Sequence, residues 1–132
     1  MPARPGAPTW LLLAYRIATS IYAPFAYRKI TRKLRAQGVS DQRIQERLGN
    51  ASLPRAQGPL IWFHAASVGE SLSVLGLIAA MGTRLPGHEF LITTGTATSA
   101  ELIAKRLPPR TRHQFAPLDA TGPVRRFYAR WT

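Results

Sequence analysis

The hydrophobic and polar positions divide this chain into two unlike parts. From Trp10 to Tyr27 large apolar residues crowd together (Trp10, Leu11, Leu12, Leu13, Tyr15, Ile17, Ile21, Tyr22, Phe25, Tyr27), interrupted by Arg16 and Pro24. Arg28, Lys29, Arg32, Lys33 and Arg35 follow at once. Beyond residue 60, apolar runs of strand length alternate with stretches of helical spacing. Residues 60–65 read as a strand and 68–84 as a helix with Leu72, Leu75, Ile78 and Ala79 on one face. Residues 89–94 read as a second strand and 99–107 as a helix carrying Leu102, Ile103 and Leu107. Residues 113–117 complete the pattern as a third strand, and 122–131 as a helix with Val124, Phe127 and Trp131 at helical spacing. Strands alternating with helices in this way predict βαβ units and a parallel sheet, an α/β fold.

The front part has two readings. An apolar helix flanked by basic residues suits a membrane surface, where the aromatics sit at the interface and the cations meet lipid phosphates. It equally suits a helix packed on its own domain with solvated charges. The apolar run is slightly short for a span and carries Arg16 near its middle. A cleavable leader is opposed by the lack of a small-x-small cleavage site before the basic cluster. Residues 1–36 are thus expected to hold an irregular, proline-containing tail (residues 1–8) and a membrane-associated helix. Residues 37–59 read as a connector in which 41–48 form a short helix ended by Gly49-Asn50, and residues 60–132 as the α/β unit.

The 132 residues suffice for one domain with a real core. The chain has no cysteine, which excludes a disulfide scaffold, thiolate catalysis and cysteine-based zinc sites. Its net charge of +12 favours an anionic partner, membrane or nucleic acid. Residues 1–55 hold ten Lys/Arg and two acids, net +8, whereas residues 56–132 hold eight and four, net +4. The charge therefore gathers beside the apolar front. A non-enzymatic basic module binding anionic membrane or nucleic acid is the alternative this charge supports, although the aromatics do not alternate with basic residues on a strand face as a nucleic-acid platform requires.

Candidate chemistry centres on His64-Ala65-Ala66-Ser67-Val68-Gly69-Glu70, where the first strand turns into a helix. Strand-to-helix turns form the ligand crevice of open α/β sheets. Ser67-x-x-Glu70 is also a capping box, so Glu70 reads either as a cap or as a general base. Thr98-x-x-Glu101 repeats the capping pattern after the second strand. Gly69 lets another group approach the backbone closely, and free N–H groups at a helix start suit an anion. The hydroxyl-rich loop Thr93-Thr94-Gly95-Thr96-Ala97-Thr98-Ser99 reads as a turn with a cap or as a hydrogen-bonding surface for sugar or phosphate. No dinucleotide fingerprint or Walker A spacing occurs. His64 reads as a structural, hydrogen-bonded histidine, His88 and His113 show no metal-ligand spacing, and Asp119 is expected to cap the last helix.

The segment from Ile61-Trp62-Phe63 through Glu70 resembles the signature of the 3-deoxy-D-manno-octulosonic acid (Kdo) transferases. Glu46-Arg47-Leu48-Gly49, Thr93-Thr94-Gly95-Thr96-Ala97-Thr98-Ser99-Ala100-Glu101, Pro117-Leu118-Asp119 and Val124-Arg125-Arg126-Phe127 match in order. The resemblance implies a Rossmann-like sheet forming part of the N-terminal, acceptor-binding lobe of a GT-B glycosyltransferase. It implies transfer of Kdo from CMP-Kdo to the lipid A precursor at the cytoplasmic face of the cell inner membrane, without metal or other cofactor and without nucleic acid. Glu70 would be the general base, Ser67 and Gly69 would shape its turn, Glu101 would remain a cap, and Ser67, Gly69, Thr94 and Thr96 would be the substrate-binding candidates. The family's donor-binding lobe, which takes CMP-Kdo, has no counterpart in these residues. With three strands and open sheet edges, the chain is expected to be a fragment, a truncated product or half of a split enzyme, inactive alone.

Overall fold

The computed structural model describes residues 9–132, so the expected irregular tail over residues 1–8 lies outside the described residues. Helix α1 (Trp10–Ala36) runs for 27 residues and continues through Pro24. Lys33 and Arg35 occupy its last turn, where cations suit the negative end of the helix dipole. Of its side chains only Thr31 and Leu34 are buried. Trp10, Leu11, Leu12, Leu13, Tyr15, Ile17, Ile21, Tyr22 and Phe25 are all exposed. The two readings of the front segment therefore divide along one helix. Its last third packs on the domain, with Tyr27, Ile30 and Leu34 against Ile44, Ala100 and Phe115, whereas the large apolar side chains of its first half stay exposed and Tyr15 alone among them hydrogen-bonds to the domain, at Asp119. No helix among them is long and apolar enough to cross a membrane.

The segment read as a connector is packed into the fold. Helix α2 (Asp41–Ile44) is capped by Ser40, whose side chain accepts the Arg43 N–H, and continues as one 3-10 turn, Gln45–Leu48. Gly49 ends it at φ 83, in the left-handed region where only glycine is unstrained. Ile44 and Glu46 are buried to 1% and 0% exposure.

Strands β1 (Leu60–His64), β2 (Glu89–Thr94) and β3 (Thr111–Phe115) form a parallel sheet in the order β1-β2-β3. Leu60 pairs with Glu89 and Phe90 with Thr111. The connecting helices are α3 (Val68–Arg84) and α4 (Ala97–Ala104), and α5 (Thr121–Trp131) follows β3. Side chains alternate across β2, so its two faces feed two cores. Phe90 and Ile92 pack with Leu75 and Ile78 of α3 and Ile103 of α4. Leu91 packs on the other side with Phe127 and Trp131 of α5. Each such apolar side chain contributes about 1.5–3 kcal/mol on burial. Helices on both faces explain why the central strand is buried from Phe90 onward and apolar from Phe90 to Ile92.

Several expectations are corrected in detail. Helix α3 buries Ser71, Leu75 and Ile78, whereas Leu72 and Ala79 are exposed, because the inward face is rotated by one position from the one expected. Helix α4 begins and ends earlier than 99–107, and Leu107 lies beyond it, 39% exposed. Strand β3 covers Thr111–Phe115 rather than 113–117, since pairing with β2 stops at Thr94↔Phe115.

Candidate functional site

The C-terminal ends of β1 and β2 open into the turns that begin α3 and α4, and these turns carry the site. Ser67 is extended (φ −135, ψ 166) and its Oγ accepts the Glu70 N–H at 3.1 Å. The Glu70 carboxylate reaches back and accepts through Oε2, at 2.8 Å, the N–H of Ala66 rather than that of Ser67 as expected. This clasp satisfies donors that a helix start leaves unpaired. Glu70 remains exposed and its Oε1 has no partner among the described residues. Both readings of Glu70 thus coexist geometrically: one oxygen caps, the other faces outward with a lone pair to accept a proton. Gly69 has open space around it, and a Cβ there would meet nothing nearer than Ser67 Oγ at 4.0 Å.

The second turn differs from its expected form. Thr96, not Thr98, caps α4, accepting the Ser99 N–H at 3.2 Å. Glu101 is no cap; it pairs with Lys105 one turn on, at 3.1 Å, on an exposed face. Asp119 does not cap α5 either. Its carboxylate accepts the Tyr15 hydroxyl from α1, while Ala120 occupies the N-cap without a side-chain bond.

Ser67, Val68, Gly95, Thr96 and Thr98 line one cleft of about 470 Å³ between the two turns and the end of α1. Lys33 and Arg47 complete its wall. Glu70 and Gly69 do not line it; Glu70 is tied to its wall only through Ala66, whose N–H the carboxylate holds. Thr94 lies elsewhere: fully buried, its hydroxyl 2.8 Å from His113 Nε2. It stabilises the strand end and does not face the cleft. His64 keeps its structural role, with Nδ1 3.0 Å from the Thr93 hydroxyl, which also accepts the Trp62 indole N–H at 2.9 Å.

Beneath the cleft a polar network joins the packed segment to the sheet. Glu46 accepts the Phe115 N–H at 2.7 Å and the Ser52 hydroxyl, and Arg43 approaches it at 3.2 Å. Arg43 also donates to His113 Nδ1 at 2.7 Å and stacks over the Phe115 ring. A donor on Nδ1 leaves the imidazole proton on Nε2, which donates to Thr94. Burial, together with the Arg43 charge, pushes the His113 pKa down to about 3, so the ring is neutral. Sequence reasoning missed Lys33, Arg43 and Arg47. Arg47 stood inside the Glu46-Arg47-Leu48-Gly49 resemblance, but nothing in its neighbours placed it beside the loops. Among the described residues no group of three or more His, Asp or Glu forms a metal-type cluster.

Comparison with known proteins places these features in a family. The family model described as 3-Deoxy-D-manno-octulosonic-acid transferase (kdotransferase) matches residues 42–132. The probable 3-deoxy-D-manno-octulosonic acid transferase, mitochondrial, of Arabidopsis thaliana is 36% identical over 118 residues, covering 89% of this chain and 26% of the relative. The 3-deoxy-D-manno-octulosonic acid transferase of Rickettsia felis is 44% identical over 72 residues, 54% of this chain and 16% of the relative. That of Haemophilus influenzae is 36% identical over 89 residues, covering 65% and 20%. The chain thus spans about a quarter or less of the length of these relatives and corresponds to their N-terminal part. No solved structure matches significantly. These similarities do not favour the alternative of a non-enzymatic basic module.

Proposed function

Since the chain belongs to the 3-deoxy-D-manno-octulosonic-acid transferase family, we propose that it supplies the acceptor-binding side of a GT-B glycosyltransferase that moves Kdo from CMP-Kdo to a lipid A precursor. The observation that carries this reading is Glu70, held by its own turn at the strand-end crevice with one carboxylate oxygen unpartnered. In the proposed step that oxygen takes the proton of the acceptor hydroxyl. The acceptor oxygen attacks the anomeric carbon of Kdo, and the bond to CMP breaks with its electron pair leaving on the phosphate. Ser67 and the Ala66 N–H keep the carboxylate aimed, so its orientation costs nothing when the acceptor arrives. The donor would be held by a second lobe across the cleft, and metal or cofactor is not needed for this proton transfer.

In this reading the enzyme works at the cytoplasmic face of the inner membrane, and the composition of α1 supports a membrane-surface location. Its front presents Trp10, Tyr15, Tyr22 and Phe25 to the surroundings, and its rear carries Arg28, Lys29, Arg32 and Lys33. Such a helix lies in a bilayer interface and brings the cleft to an amphiphilic acceptor. The experiment is transfer from CMP-Kdo to lipid acceptor by a complete enzyme carrying this segment, with and without Glu70→Gln. Retained turnover in the variant overturns the assignment of the base.

A further inference from the structure

We propose that the cleft between α1, α3 and α4 is a phosphate-monoester subsite, holding the headgroup of an amphiphilic acceptor whose apolar chains lie along the front of α1. For the identity of that amphiphile as the acceptor it rests on the transferase reading; the binding chemistry stands on the cleft itself.

Two cations reach this cleft without an acid to neutralise them. Lys33 and Arg47 form no ion pair among the described residues, and no carboxylate lines the wall. Arg47 is anchored by one Nη on the Ala116 carbonyl, while its buried Nε has no partner. Burial draws its pKa below the ordinary arginine value, the mark of a guanidinium desolvated without a counter-ion. An oxyanion between Lys33 and Arg47 would supply both missing acceptors.

The backbone adds donors from two directions. Ser67 and Thr96 cap only the third N–H of their helices, at Glu70 and Ser99. Among the described residues the N–H groups of Val68, Gly69, Ala97 and Thr98 have no acceptor, at the positive ends of two helix dipoles, and Val68 and Thr98 line the cleft itself. A single carboxylate would use few of these donors. A phosphate monoester, with three terminal oxygens and up to two charges, matches two cations and two helix starts.

The occupant's other end is set by α1. Lys33 follows Phe25 by eight residues, about 12 Å along a helix. A headgroup seated in the cleft therefore leaves its chains within reach of the exposed Phe25, Tyr22 and Ile21.

The test is titration of the 132-residue chain with glycerol 3-phosphate, read from amide NMR shifts, beside sedimentation with phosphatidylcholine vesicles doped with phosphatidic acid or, at equal surface charge, oleic acid. Saturable shifts are expected at Val68, Gly69, Ala97 and Thr98, with preference for phosphatidic acid vesicles. Lys33→Gln and Thr98→Glu, neither of which removes a side-chain hydrogen bond, each weaken binding by about fivefold or more. Arg106→Gln, exposed beyond the far end of α4 and off the cleft, leaves it unchanged. Absence of saturable shifts, or equal losses for Arg106→Gln and Lys33→Gln, overturns the subsite in favour of diffuse attraction. Binding of glycerol 3-phosphate without a vesicle preference overturns the headgroup assignment. Because the titration reads binding and not transfer, its failure removes the subsite and leaves Glu70 standing, whereas an active Glu70→Gln enzyme does the reverse.

Discussion

Glu46 accepts the backbone N–H of Phe115 at 2.7 Å, so a fully buried carboxylate ties the segment before the sheet to its last strand. Arg43 balances its charge from one side and Ser52 donates from another. Removing one member of a buried pair strands the other and costs about 3–5 kcal/mol. Glu46→Ala is expected to lose that much in urea unfolding, and Glu46→Gln less, because its amide oxygen still accepts from Phe115. A Glu46→Ala chain as stable as the parent would falsify the role given to this bond.

The neutral His113 beneath the cleft makes stability depend on pH. Its folded pKa is lowered to about 3 from 6.5 by burial and by the Arg43 charge, with Glu46 and Thr94 the other groups nearby. Below the unfolded value the unfolded chain binds a proton that the folded chain refuses. The contribution is complete above about pH 6.5 and is lost as pH falls toward 3, with a slope of up to about 1.4 kcal/mol per pH unit. Urea midpoints measured down this range should show the slope, and His113→Gln should flatten it. Identical profiles for the two chains would count against a neutral, buried ring.

Capping and catalysis at the first turn are separable. Ser67→Ala should cost about 1 kcal/mol of stability, the usual value of an N-cap hydroxyl. Glu70→Gln keeps an oxygen for the Ala66 N–H and should melt with the parent chain. In a complete transferase it should lower kcat by about a hundredfold or more. A variant that loses stability but not turnover makes Glu70 a cap alone.

Two glycines share a backbone conformation but not an environment. Gly49 and Gly38 have φ of 83 and 81, yet a Cβ on Gly49 would stand 2.2 Å from the Pro123 carbonyl oxygen, while one on Gly38 meets nothing within 4 Å. Gly38→Ala should cost about 1 kcal/mol, the left-handed penalty alone. Gly49→Ala adds a clash with the start of α5 and should cost clearly more. Equal melting temperatures for the two variants would contradict the close approach of the two segments.

The exposed front of α1 should matter for membranes and not for stability. Trp10 and Ile21 are 75% and 67% exposed. Replacing both by serine should abolish sedimentation with anionic vesicles while changing unfolding free energy by no more than about 0.5 kcal/mol. Unchanged sedimentation removes α1 as the anchor.

Much of this was legible in the chain because it rests on local rules. The limits of α3 at Val68 and Arg84, the Ser67 cap, the stop at Gly49 and the three-strand α/β alternation follow from capping chemistry, glycine conformation and apolar periodicity. Local rules misled where two residues offered the same chemistry. Thr96 and Thr98 both suit an N-cap, and the one whose backbone is extended took it, leaving Glu101 to Lys105.

The sequence by itself determined the element order, the parallel α/β class, the turn that holds Glu70 and the family, since each depends on residues within a few positions of one another. Tertiary structure decided which face of α3 is core, because Leu72, Val74, Leu75, Leu77 and Ile78 surround most of that helix and only the sheet beneath selects Leu75 and Ile78. It also decided the polar partners: Glu46 with Phe115, Arg43 and Thr94 with His113, and Asp119 with Tyr15. It gathered Lys33 and Arg47 beside the two helix starts. Hydrogen bonds and charge pairing act over a few ångströms of space, and a linear pattern holds no distance between residues that the fold brings together from opposite ends of the chain.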